Sequence, residues 1–192
     1  TSTQAFQNDI PNFLTTLGWN KEKAQFFGDR IRIEAARGSG HAWGASMRNG
    51  DVALLRARIK KTGMDYKGFN IASHEFGHCV EQTITLNDVD YYMLNGVPNT
   101  AFTEALAFVF QKRDLFLLGM KETSTNQEQL MALSNLWDCY EIMGVSLVDI
   151  NLWKWLYNNP NADATQVKEA VINISRDVWN RYYADVFGTK DE

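Results

Sequence analysis

His74 and His78 stand four residues apart in the run His74-Glu75-Phe76-Gly77-His78. On an α-helix this spacing puts both imidazoles on one face, about one turn apart. Two such nitrogens can hold one Zn²⁺ at roughly 2.0–2.1 Å each. Glu75, one position on from His74, points to one side, where its carboxylate reaches a water polarised by the metal rather than the metal itself. The chemistry that follows is hydrolysis: zinc lowers the pKa of that water toward about 7 and Glu75, as general base, takes its proton. The chain has three histidines, and this motif uses two of them. The same string arising by chance on a solvated helix face would bind no metal. Its neighbours argue for a buried helix, because Phe69, Ile71, Ala72, Phe76, Val80 and Ile84 recur at mostly helical spacing. Gly77 costs about 1 kcal/mol of helix propensity relative to alanine, a cost expected where another backbone or a substrate comes close.

A metzincin would continue with glycine at 81 and histidine at 84, and this chain has Glu81 and Ile84 there. His41 is the only other histidine, so a carboxylate is expected as third ligand, giving a His₂Glu set of the thermolysin kind. Glu104 is the first candidate, since it stands in the otherwise apolar helical segment 99–110. A charge on such a face needs a partner, and a metal is one. An acid favoured by the dipole of a helix's first turn is the plainer reading of Glu104. Glu81, on the motif helix itself, and Asp88 and Asp90, in the loop after it, stay open as alternatives.

The elements that must position these residues read as mostly helices and one hairpin. Residues 4–17 and 21–35 read as helices, with Asn20 capping the second. Residues 42–48 and 51–59 alternate in strand fashion around Asn49-Gly50, a strong hairpin signal. The motif helix is expected over 70–86 with Asn70 as N-cap, and Glu104 rides a helix over 101–118. Thr125-Asn126-Gln127-Glu128 reads as a capping box opening a helix to about Met143. Further helices are expected over 146–158 and from Asp163 to about Val186, separated by Asn158-Asn159-Pro160. The tryptophans Trp137, Trp153, Trp155 and Trp179 read as core packing, and Cys79 and Cys139 as two buried free thiols, with a disulfide between them left open.

Ala36-Arg37-Gly38-Ser39-Gly40-His41-Ala42-Trp43, then Asp65-Tyr66-Lys67-Gly68-Phe69 leading into the motif, then Thr103-Glu104-Ala105, follow one another in specific order and spacing. In these pieces the run 31–111 resembles the core of the thimet oligopeptidase and oligoendopeptidase F group of gluzincin metallopeptidases. His41 stands where that pattern usually has a small residue, which marks a divergent branch. The resemblance implies a zinc held by His74, His78 and Glu104, with Glu75 as base and short peptides as substrates. It also implies a strand edge beside the motif helix on which an extended peptide pairs, making His41, Ala42, Trp43 and Gly44 substrate-contacting positions. In that family tyrosine and histidine side chains downstream of the third ligand stabilise the oxyanion. Here no histidine follows His78, and Tyr182 and Tyr183 are the candidates left for that work, against the plainer reading of paired tyrosines on a terminal helix as packing residues. Family members are much longer, so these residues are expected to be the metal-binding core of a larger enzyme whose remaining segment completes the substrate site.

Length and composition allow one domain spanning 1–192 with a sizeable core, since 45% of the 192 residues are hydrophobic and 12% aromatic. A formal net charge of −4, with 19 basic and 23 acidic residues mixed along the chain, suggests neither a nucleic-acid nor a membrane surface. A cytoplasmic setting is expected, subject to any targeting segment outside the numbering. The expected fold class is mainly α (α+β): a zincin-like helical core with a small β-hairpin beside the His-Glu-x-x-His helix. The expected function is a zinc-dependent peptidase with one Zn²⁺ per chain, and the alternative is a non-catalytic peptidase-like module or inactive fragment that binds zinc or peptide without turnover.

Overall fold

Phe6, Ile10, Phe13 and Leu14 recur at helical spacing, and all four are buried in helix α1 (Ser2–Thr16) of the computed structural model. The structure describes residues 2–36, 38, 40–43, 51–91, 100–120 and 125–191. It is mainly helical with one small sheet, and the chain divides into two compact units, Thr1–Thr123 and Ser124–Glu192.

In the first unit, α1 is followed by α2 (Lys21–Gly28), whose N-cap Asn20 accepts the Lys23 backbone N–H at 2.7 Å as expected. The helix expected to run to residue 35 stops at Gly28, and Ile31–Ala36 is instead strand β1. The alternation Ile31-Arg32-Ile33-Glu34 is the local reason: β-branched residues at period two suit a pleated surface better than a helix. Gln7 of α1 secures this strand, its amide nitrogen donating to the Ile31 carbonyl at 2.7 Å and its oxygen accepting the Ile33 N–H at 3.0 Å.

Strands β2 (His41–Trp43) and β3 (Ala53–Arg58) pair antiparallel, with His41 opposite Arg56 and Trp43 opposite Leu54. This is the expected antiparallel pairing; residues 44–50, with the rest of the expected first strand and the Asn49-Gly50 turn, lie outside the described residues. The sheet order is β1-β3-β2, with β1 parallel to β3, so a third strand joins the hairpin and β2 is an edge among the described residues.

The motif helix α3 (Tyr66–Asn87) starts a turn earlier than expected. Its N-cap is Asp65, which accepts the Gly68 N–H at 2.9 Å, and Asn70 lies inside the helix. One face of α3 carries Phe69, Ala72, Phe76, Cys79 and Val80 into the core against α1 and the sheet. There Phe76, fully buried, meets the rings of Phe6, Phe13 and Phe110 at centroid distances of 6.3, 6.2 and 5.5 Å. The helix expected over 101–118 is broken at Lys112-Arg113 into α4 (Thr100–Gln111) and the single turn α5 (Asp114–Leu117).

The second unit is a pair of helices with a short terminal turn. The two helices expected over 125–158 are one, α6 (Gln127–Asn158), continuous through Gly144. Its N-cap Asn126 makes no side-chain cap, so the capping box expected at 125–128 does not form; Asp163 and Gln166 make that reciprocal pair at the start of α7 (Ala164–Tyr182). The short α8 (Ala184–Phe187) follows, where the sequence reads as continuous helix. Trp137 and Trp153 are about half exposed rather than core residues, while Trp179 stacks on Tyr183 and Phe187. Both cysteines are free; Cys79 is buried as expected and Cys139 is exposed. No helix among the described residues is long and apolar enough to cross a membrane.

Phe76→Ala leaves every candidate ligand in place but empties the centre of the aromatic cluster, and should destabilise the first unit by about 3–5 kcal/mol. Urea unfolding followed by circular dichroism measures it; a loss below about 1 kcal/mol would mean that the cluster closes over the gap.

Candidate metal centre

Helix α3 turns a second face away from the core, carrying Asn70, His74, Gly77 and His78 at helical spacing toward α4. The facing stripe on α4 is Glu104, Ala107 and Gln111, and Asp114 continues it past the break. Contacts that advance along α4 retreat along α3: Glu104 meets His78 and His74, Ala107 meets Gly77, and Gln111 meets His74 and Asn70. The two helices therefore run antiparallel. Their closest approach is at Gly77, where a Cβ would lie 2.7 Å from the Ala107 Cα and 3.2 Å from the Phe110 Cβ. The motif glycine is there because a second backbone occupies the space, as its propensity cost suggests.

This approach brings three donors together. Glu104 Oε2 lies 3.2 Å from His74 Nε2, and Glu104 Oε1 lies 3.5 Å from His78 Nε2. One ligand atom from each residue falls within 4.8 Å of the others. A tetrahedral ion with ligand bonds of roughly 2.0–2.1 Å separates its ligands by about 3.3 Å, a value close to the two histidine–carboxylate distances. Glu104 belongs to the second turn of α4, and no acid occupies that helix's first turn, so the dipole account does not explain it. Both histidine side chains are mostly buried while the Glu104 side chain is 45% exposed, which leaves the cluster open on the carboxylate side.

The other candidates fall elsewhere. Glu81 is buried and its Oε1 accepts the Thr85 hydroxyl at 2.6 Å; Asp88 caps α3 and pairs with Lys23. Neither they nor Asp90 joins the cluster. Cys79 points into the core despite following His78, and burial, with a lesser effect of Glu75, pushes its thiol well above the ordinary range. Glu75 lies on the side of α3 nearest the start of β2. A Cβ on buried Gly40 would lie 2.9 Å from Ile71 Cγ2 and 3.4 Å from Glu75 Cγ, so the chain entering β2 passes directly over the Glu75 side chain. His41 is exposed and Ala42 half-buried against the core; Gly44 and the Trp43 side chain lie outside the described residues. Tyr183 is packed within the second unit, its hydroxyl donating to the Tyr140 carbonyl at 2.5 Å, and Tyr182 is about one-third exposed there.

Sequence reading missed the residues behind His74. Its Nδ1 lies 3.0 Å from Gln111 Oε1, Gln111 Nε2 donates to Asn70 Oδ1 at 2.7 Å, and Asn70 Nδ2 donates to Asp114 Oδ2 at 2.7 Å. Tyr66 hydrogen-bonds the same carboxylate, which raises its phenol above the usual value, with burial a lesser cause. The available signal was the spacing of Glu104 and Gln111 on α4 and of Asn70 and His74 on α3, seven and four residues, which put each pair on one helix face.

Alanine in place of Gly77 should gain about 1 kcal/mol from helix propensity alone. The 2.7 Å contact with backbone makes the opposite outcome expected: a lower unfolding midpoint, with zinc affinity reduced on the order of tenfold as Glu104 moves off the histidines. Urea titration and competition with a zinc chelator measure the two effects, and a stabilised Gly77→Ala protein with full affinity would contradict the close packing. No protein-family model matches the chain, and comparisons with curated proteins and with solved structures likewise find no match.

Proposed function

We propose that this chain is a zinc-dependent peptidase whose metal is held by His74, His78 and Glu104. The observation that carries the proposal is the meeting of those three donors within 4.8 Å of one another, from two helices, with Glu75 next to His74 in the chain. Two histidines alone could share a helix face by accident. A carboxylate delivered between them by a second helix, through a glycine-dependent approach, is a more specific arrangement. A sheet edge next to the motif helix also supports a zincin-like reading of the fold.

The metal, when bound, supplies Lewis acidity to the scissile carbonyl and to the attacking water. The chain's own residues do the rest. Glu75 takes the proton of the attacking water and returns it to the amine as the C–N bond breaks. Its half-buried position under the entry to β2 places it beside the strand edge. An extended peptide pairing with β2 through main-chain hydrogen bonds would lie along that edge, and such pairing gives affinity with little sequence preference; short peptides as the substrate class rest on the family resemblance alone. His41, Ala42 and the backbone of Trp43 are the described positions of β2 for this contact.

Protein purified without chelator or added metal should carry close to one zinc per chain by elemental mass spectrometry. Glu75→Gln should retain that zinc and lose about 10²–10⁴-fold in peptide hydrolysis. Stoichiometric zinc with no hydrolysis by the unmodified chain would point to a non-catalytic metal-binding module. No zinc, even when it is offered, would remove the metal reading altogether.

A further inference from the structure

The hydrogen bonds behind His74 have a direction, and it is set at the end farthest from the metal cluster. Asp114 is buried, and an ionised carboxylate only accepts. Its Oδ1 takes the Leu115 backbone N–H at 2.6 Å and its Oδ2 takes an N–H from Asn70 at 2.7 Å. Asn70 must therefore turn its nitrogen to Asp114 and its oxygen to Gln111. Gln111 must then offer its nitrogen to Asn70, at 2.7 Å, which leaves only its oxygen for His74 Nδ1, at 3.0 Å. An acceptor at Nδ1 requires a proton there. The Nε2 lone pair is thereby presented toward Glu104 and His78.

We propose that Asp114, Asn70 and Gln111 form a directional relay that holds His74 as its Nδ1–H tautomer, the form whose Nε2 can bind a metal. They are positioning residues, since none of them touches the candidate metal position. The proposal deepens the zinc reading, because the relay opposes what Glu104 alone would select. With Nε2 unprotonated, the 3.2 Å contact to Glu104 Oε2 sets one acceptor against another, and a cation between them resolves it. Without the relay, the neutral imidazole would put its proton on Nε2 and bond Glu104 directly. Burial decides the competition. Reversing the two amides would leave acceptors facing each other at buried Asp114, whereas the half-exposed Glu104 can take water in place of a lost partner.

The test reads the proton rather than the metal. Imidazole ¹⁵N spectra of metal-free protein, at a pH alkaline enough to keep His74 neutral, distinguish the two tautomers. The unmodified chain should show Nδ1–H. Asp114→Asn is isosteric, but its nitrogen donates to Asn70, so both amides should turn over and His74 should become Nε2–H. Adding Gln111→Glu restores an acceptor beside Nδ1 and should return the Nδ1–H form. Zinc affinity should follow, falling about 10–100-fold in the single variant and recovering in the double. Should Asp114→Asn not fold, Gln111→Leu removes only the last acceptor and should also release the proton to Nε2. An Nε2–H tautomer in the unmodified chain, or no change in the variants, would overturn the relay even if zinc binds. Tautomers that switch as described in a chain that binds no zinc would keep the relay and overturn the metal reading.

Discussion

The candidate site depends on how closely α3 and α4 can approach. At Gly77 the two backbones come within the space of one methyl group, and any side chain there would push Ala107 away. Four consequences follow from that contact, because residues three and four apart share a helix face. Glu104 lies one turn before Ala107 and reaches both histidines; Gln111 lies one turn after it and reaches His74. Beyond it, Asp114 reaches Asn70, and Phe110 reaches the core ring of Phe76. A single packed layer thus supplies the third donor, the support behind the first histidine and part of the hydrophobic core.

The core in turn explains why α3 can carry polar residues on one face without loss of order. Phe69, Ala72, Phe76 and Val80 are buried against α1 and the sheet, so the helix is anchored by apolar area before any polar contact is counted. Asp65 at its N-cap and the back-bonded hydroxyls of Ser73 and Thr83 satisfy polar groups that would otherwise be costly. With the backbone fixed in this way, His74 and His78 need little rearrangement to share a ligand. Gly40 extends the same logic to the sheet: a residue without a side chain lets the entry to β2 lie over Ile71 and Glu75.

The second unit obeys different physics. Gly144 is the only buried residue of α6, and the ring of Tyr183 covers it. The aromatic residues Trp137, Tyr140, Trp179, Tyr183 and Phe187 cluster where α6, α7 and α8 meet. Tyr183 is used there to cap a carbonyl on α6, in keeping with the reading of paired tyrosines on a terminal helix as packing residues.

By itself the sequence determined what is local. Two histidines at helical spacing, an acid in an apolar segment, the Asn20 cap and the strand alternation before and after Asn49-Gly50 are all properties of neighbouring residues, set by helix and strand periodicity. Local reading failed where a longer-range partner chose between two plausible states. Ile31–Ala36 could continue a helix, but pairing with β3 and the clamp from Gln7 make it a strand. Gly144 could end a helix, but the packed Tyr183 ring accompanies its continuation. Only the tertiary structure decided that Glu104, rather than Glu81 or Asp88, meets the histidines. It also decided that Asn70 is a link in a part-buried hydrogen-bond chain rather than a cap. Both outcomes depend on the register of two antiparallel helices, and that register is set by a contact between residues thirty positions apart, which no local pattern encodes.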